Sequence, residues 1–383
     1  MDNQIKFYGQ GLEFFGIWFV NLLLSVVTIG IYSAWAKVRT KKYFYGNTDL
    51  AGDRFDYHAK PIQILKGRMV AMLFVLIWFV CNQLFPTLSL LLMLIFILLA
   101  PWLIHSNTRF DARMTSFRNV HFNFTGSVKS AYNVFLFWPL ICAVLIACCL
   151  LISAAIGGSS WLGGLIVSGL SLLLGFVLFC WVSAEIASYF VNGYHYGSCS
   201  FSGKIDTKQY VTTYLQGAVL ATVLTALMVG TGIALFGYSF HDISNSGEGI
   251  AANGGDFTMI FAIFSSYIGF ILIMLITSGF IQARLRNYIF SEISIKETAE
   301  YGLISRMTTK GLITLMLSNF ILLVVSVGFA RPWVMVRTAK YVASVTAVQG
   351  DLNALTVEGD TLNASSAVAD ELAEAFDLNI GIG

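Results

Sequence analysis

The sequence predicts an all-α polytopic membrane bundle that carries small cytoplasmic β-hairpin modules. It reads as six full crossings plus two re-entrant elements, or as eight crossings. Three observations predict this class. Hydrophobic residues make up 57% of the chain and charged ones 11%, with a mean hydropathy of +0.74, whereas about a quarter of the residues of a soluble domain are charged. The stretch Asn21–Tyr43 (NLLLSVVTIGIYSAWAKVRTKKY) returns without a gap as Asn319–Tyr341 (NFILLVVSVGFARPWVMVRTAKY), which marks an internal pseudo-repeat. Lysine and arginine also crowd into alternate connections between apolar runs, the pattern that fixes membrane orientation.

Taken in order, Met1–Gly11 holds a strand-like piece, Ile5–Gly9, and lacks the ordered parts of a cleavable signal peptide. The first apolar run, Phe14–Trp35, contains the first repeat copy, and Lys37–Lys42 is its basic exit. Tyr43–His58 reads as a hairpin with Gly46–Asn47 as turn chemistry. The runs Met69–Phe85 and Leu88–His105, parted by Pro86, are near the roughly 17–25 residues that cross hydrocarbon. A second hairpin, Arg109–Gly126, precedes Tyr132–Ile156 and Leu162–Tyr189, which the uncharged Gly157–Ser160 joins. A third, Asn192–Lys204, precedes Tyr210–Phe236 and Phe257–Phe280. Arg284–Lys310 forms a fourth module before the second repeat copy, and Tyr341–Asp351 a fifth. The chain thus divides into one integral membrane domain, 1–356, and an acidic cytoplasmic tail, 357–383, where Ser365 caps an amphipathic helix running to Phe376.

Charge then sets the orientation. The modules carry Lys37, Arg39, Lys60, Arg68, Arg109, Arg118, Lys204 and Arg306, while Cys81–Thr87, Gly157–Gly164 and the Gly237–Asp256 loop hold no Lys or Arg. The modules and both termini are therefore read as cytoplasmic. Two full crossings by the repeat copies would leave Arg39 and its twin Arg337 on opposite faces. A re-entrant arm that breaks at Thr28–Gly30 or Ser326–Gly328 removes that conflict, with Pro332 supporting the break.

These residues resemble a known family, the YjgN-like bacterial inner-membrane proteins, defined as a domain of unknown function. The resemblance rests on Glu13–Thr48, on Phe55–Arg68, on Ala330–Trp333 in the second copy and on the closing Phe376–Gly381, and it covers essentially the whole chain. Ala34 departs from it, since the family often has proline there. The resemblance implies a multi-pass protein of the bacterial inner membrane and brings no substrate or catalytic residue.

The candidate pathway or structural break consists of Asn21, Gly30 and Trp35 in the first copy, and Asn319, Gly328, Pro332 and Trp333 in the second. Glu185 is the candidate intramembrane acid, with Arg113 or Arg284 as possible ion-pair partners. His58, His121 and His195 occupy comparable strands of three modules, but no placed carboxylate makes them a metal site. The six cysteines fall in apolar runs without metal spacing. No catalytic signature, metal or cofactor site is read, so the chain is taken as a non-enzyme. The expected partner is the bilayer, with anionic lipid head groups at the cytoplasmic face and no nucleic acid. The function expected is that of a transporter, channel or lipid-handling protein. The alternative is a non-transporting scaffold that docks a partner.

Overall fold

The structure, a computed structural model, describes residues 2–158, 160–245, 255–295 and 301–352. The expected tail helix and the middle of the expected outer loop lie outside them. The chain forms two compact units, described separately: a barrel unit (the described residues of Met1–Thr207, Asn287–Arg306 and Phe329–Gly383) and a helical unit (Lys208–Arg286 and Met307–Gly328).

The elements follow one repeating order. Strand β1 (Asp2–Phe7) leads into helices α1 (Gly11–Val27) and α2 (Ser33–Gly46), and the hairpin β2 (Thr48–Leu50)–β3 (Asp53–Tyr57) follows. Helices α3 (Pro61–Leu84) and α4 (Pro86–Met114) lead to β4 (Thr115–Phe117)–β5 (Val120–Phe124). Next come α5 (Val128–Tyr132), a π turn (Asn133–Phe137), α6 (Trp138–Gly157) and α7 (Trp161–Gly193), then β6 (Tyr194–Tyr196)–β7 (Cys199–Ser202). Helices α8 (Thr207–Asn245) and α9 (Gly255–Glu292) precede β8 (Ser294–Ile295) and β9 (Gly302–Ser305). Helices α10 (Thr309–Val325) and α11 (Arg331–Ser344) end at β10 (Thr346–Gln349). Among the described residues, six helices are long and apolar enough to cross a membrane, and two apolar helices, α1 and α10, are shorter.

The expected separate hairpin modules are corrected here: the strands form one closed barrel in the order β1-β10-β9-β8-β7-β6-β5-β4-β3-β2. A lone hairpin is marginal in water and leaves two unpaired edges, and closure removes both defects. Every pairing is antiparallel, and β1 pairs with both β10 and β2. In such a meander the connections alternate between ends. The tight turns, the start of β1 and the end of β10 therefore lie at one end, and the helices of the barrel unit leave and return at the other.

Two of the turns are two-residue turns with positive φ at both centres, Ala51–Gly52 (55° and 93°) and Arg118–Asn119 (49° and 61°), the geometry that matches strand twist. The first turn is thus not at Gly46–Asn47; Gly46 ends α2, and the Asn47 N–H donates back to Tyr43. Helix also extends further than expected elsewhere. Arg109–Met114 belongs to α4, Arg284–Glu292 to α9, and the described part of the Gly237–Asp256 loop to α8 and α9.

Alternate strand residues fill the barrel. Leu50, Phe117, Tyr196, Tyr301 and Leu352 form its buried core, with Ile5, Phe55, Phe122, Phe201 and Ile295 packed against them. The cross-strand pairs Ile5–Leu50, Phe55–Phe117, Phe122–Tyr196 and Phe201–Ile295 stack that face. A finer sequence period accompanies this. The residues before five helices are Gln10, Lys60, Ser127, Asp206 and Thr308. Five places earlier stand Ile5, Phe55, Phe122, Phe201 and Leu303, and four places later Phe14, Ile64, Ala131, Tyr210 and Leu312, all five of the latter buried.

The Tyr196 phenol donates to the Phe117 carbonyl (2.9 Å), and burial pushes its pKa up to about 12. Its folded pKa lies above the unfolded value, so its stabilisation is complete below about pH 10 and fades as pH rises through the folded pKa. Tyr196→Phe should flatten that alkaline decline and lower neutral-pH stability by about 1 kcal/mol for the lost hydrogen bond. Melting curves between neutral and strongly alkaline pH check this; parallel pH profiles for the two proteins would contradict it.

Candidate functional site

Each repeat copy builds the same break. In the first, Ile29 has φ 51° and Gly30 φ 87°; in the second, Val327 has φ 51° and Gly328 φ 87°. A β-branched residue at positive φ is a true outlier, and here it occurs twice at equivalent positions. The backbone groups are closed locally in both. The Gly30 N–H donates to Ser25 O (2.7 Å) and that of Gly328 to Leu323 O (2.8 Å). The hydroxyls of Thr28 and Ser326 donate to Leu24 O (2.7 Å) and Leu322 O (2.6 Å). A break so satisfied is compatible with hydrocarbon, where unpaired backbone is not tolerated. Its tips are apolar and bare: Val27 is 77% exposed, Ile29 87% and Val327 85%, and a Cβ on Gly30 or Gly328 would meet nothing within 4 Å.

The barrel fixes the path of the first arm. Helix α1 leaves β1 and α2 returns to its neighbour β2, so the arm goes out and comes back. The 17 residues of α1 rise about 25 Å, short of the roughly 30 Å of hydrocarbon. An arginine also packs beside the break. Arg68, the last charge before the apolar part of α3, donates through Nη1 to Ser33 Oγ at the start of α2. Arg39 Nη1 donates to Tyr32 OH (2.9 Å). In the second copy the residue equivalent to Ser33 is Arg331, exposed at the start of α11. Both copies therefore carry an arginine near the break, Arg68 bonded to Ser33 in the first and Arg331 shortly after Val327 in the sequence of the second.

The other predicted break residues pack. Asn21 is 4% exposed, and neither amide atom has a partner among the described residues. Asn319 is buried in the helical unit. Trp35 stacks on Tyr32 (6.0 Å). Pro332 is fully buried within the first two positions of α11, where its missing N–H is harmless. Trp333 lies on Phe15 (4.9 Å) and over Gly11, where a Cβ would come within 2.4 Å of the indole.

Sequence reasoning missed a polar belt at the membrane-side mouth of the barrel, built on the last turns of α4. His105, Ser106 and Asn107 are buried there, just after the apolar part of the helix. His105 Nδ1 meets the Tyr189 hydroxyl (2.9 Å). Asp111 binds Lys41 of α2 and accepts from Tyr57 OH (3.1 Å), while the Lys41 ammonium sits 5.0 Å over the Tyr57 ring. Tyr45 stacks on Tyr57 (5.7 Å). Burial, then the charges of Asp111 and Tyr45, raise the Tyr194 pKa far above the usual phenol value. Asn107 stands one helical turn from Asp111 on the same face, and its Oδ1 has no partner among the described residues. The signal lies in polar residues on a helical period, but the charges and aromatics of Arg109–Gly126 read equally as a hairpin.

Residues 2–375 match the model of a family described as bacterial protein of unknown function (DUF898). The chain belongs to the DUF898 family. The Inner membrane protein YjgN of Salmonella typhimurium is 27% identical over 374 residues, covering 94% of this chain and 91% of that protein. The protein of the same name from Escherichia coli strain K12 is 25% identical over 370 residues, covering 92% and 90%. No solved structure matches. With six membrane-capable helices among the described residues and relatives named as inner membrane proteins, this DUF898 chain is a multi-pass membrane protein.

The remaining candidates make other contacts. Glu185 is half-buried on α7 and makes no ion pair among the described residues; Arg113 Nε reaches Asn123 Oδ1 (3.3 Å), and Arg284 bonds Gln216 within the helical unit. His58 and His121 lie with ring centroids 5.0 Å apart, bonded to Ser116 Oγ (2.8 Å) and Arg113 O (2.8 Å), while His195 bonds Thr125 (3.0 Å). Among the described residues of this DUF898 protein, no three His, Cys, Asp or Glu side chains are placed to hold a metal ion.

Proposed function

We propose that the protein is a non-enzymatic, lipid-handling protein: it inserts paired wedges into the cytoplasmic leaflet and loosens lipid packing there. The observation that carries this reading is the bond from Arg68 to Ser33, which supports placing the first break just inside the head-group layer. Arg331 supports the same level for the second break. Arginine belongs with phosphate at that interface and branched aliphatic tips below it. A short apolar element thins the bilayer around it, at a modest energy per ångström of mismatch. The packed barrel core favours lipid over a soluble solute as the thing moved, because its interior is occupied by side chains. The excess of Lys and Arg near the barrel supports a cytoplasmic placement of the barrel and both termini.

Reconstitution into vesicles of phosphatidylethanolamine and phosphatidylglycerol tests this. Fluorescent head-group-labelled lipid should become accessible to a membrane-impermeant quencher faster than in protein-free vesicles, without ion conductance. Gly30→Leu with Gly328→Leu forces a side chain onto positive φ at both breaks, costing about 1–2 kcal/mol each. Neither position has a neighbour within 4 Å, so the protein should still accumulate while lipid movement falls to background. Lipid movement unchanged by the pair would defeat the reading. Solute flux would favour a transporter, and inert vesicles the docking scaffold.

A further inference from the structure

The polar belt has a chemistry that the wedges do not use. A lysine ammonium lies against a carboxylate and over a phenol ring, and a buried amide oxygen without a partner among the described residues stands on the same face. This is a cation-binding environment occupied by the chain's own Lys41: carboxylate, phenol hydroxyl, amide carbonyl and aromatic face are all acceptors of an ammonium. It remains reachable, because the Lys41 and Asp111 side chains keep 20% and 25% of their exposure.

We propose that the belt binds a phosphoethanolamine group, whose primary ammonium takes the place of the Lys41 ammonium on Asp111, Asn107 and Tyr57, and whose phosphate pairs with Lys41. The inference deepens the lipid-handling reading by naming the head-group class. Its physical basis is charge balance. The Lys41–Asp111 pair is neutral, and so is phosphoethanolamine near neutral pH. Exchange turns one ion pair into two and leaves no buried charge unpaired, the condition that makes partly buried ions tolerable. An anionic head group would satisfy Lys41 but strip Asp111 of its partner. A phosphocholine group matches in charge but has no N–H to donate to Asp111 or Asn107. Sites built to receive N–H discriminate strongly against analogues that lack it.

The purified full-length protein in detergent should be studied by native mass spectrometry with added dioleoyl-phosphatidylethanolamine, -phosphatidylcholine or -phosphatidylglycerol. Calorimetry with glycerophosphoethanolamine tells a lipid source from a soluble one. The phosphatidylethanolamine should be retained at least about tenfold better than the other two, and Asp111→Asn or Lys41→Gln should erase the preference. Asn107→Leu removes only one acceptor and should weaken binding while keeping the fold, so it tests the site even if Asp111→Asn fails to fold. Equal retention of phosphatidylcholine, or a preference unmoved by these variants, overturns the assignment. Soluble glycerophosphoethanolamine binding as tightly as the lipid would make a soluble phosphoethanolamine compound the ligand. Head-group preference that survives Gly30→Leu with Gly328→Leu separates the two ideas. Lipid movement without the preference sinks only the site; the preference without lipid movement sinks only the wedge function.

Discussion

Ile29→Asp and Val327→Asp together should sharply lower the amount of membrane-inserted, folded protein. Aspartate in hydrocarbon costs about 2.5–3.5 kcal/mol at the centre of a helix, less near the interface, and both tips are more than four-fifths exposed, at 87% and 85%. The backbone pulls the other way. Both residues sit at φ 51°, where aspartate is far better tolerated than a β-branched side chain. The two environments therefore predict opposite signs. A tip in water would be stabilised by about 1 kcal/mol per site as strain is relieved. A tip in lipid would lose more than that. Accumulation in membranes, and melting in detergent against melting in vesicles, give the sign directly. Improved accumulation would place the tips in water and remove the wedge reading with them.

Phe124→Ala is expected to destabilise the barrel unit by about 3–5 kcal/mol, near the upper end for core truncations. Phe124 is 1% exposed and lies against His105 (5.8 Å), Tyr189 (5.3 Å), Phe190 (6.2 Å) and Tyr194 (5.2 Å). Two glycines make room for its ring: a Cβ on Gly193 would come within 2.3 Å of it, and one on Gly126 within 2.7 Å. The surrounding rings are fixed on α4, α7 and β6, so the cavity has little freedom to collapse. Because cost rises with residual cavity volume, the loss should be large. Fluorescence-monitored melting in detergent measures it, and a change below about 1 kcal/mol would mean that this cluster does not hold α4 and α7 to the barrel.

The legible part of the candidate site was the repeat. Asn21–Tyr43 and Asn319–Tyr341 share their breaks down to the hydrogen bonds of Gly30 and Gly328, because such bonds run within a single turn of chain. The belt was not legible. Lys41, Tyr57, Asp111 and Tyr194 come from four elements, and no local pattern states that they meet. A Phe, two Arg and an Asp close to a turn fit a hairpin as well as a helix, and only the continuation of α4 through Met114 assigns Asp111 to the helix.

By itself, the sequence determined that the chain lives in a membrane and where it breaks twice. Those properties follow from composition and from contacts a few residues apart. Only the tertiary structure decided that the hairpins are one barrel. Strands of two to six residues are too short to announce their neighbours, and the decisive pairing joins β1 to β10 across nearly the whole chain. Closure is favourable only when every edge is satisfied at once, and that condition belongs to the assembled sheet rather than to any one segment.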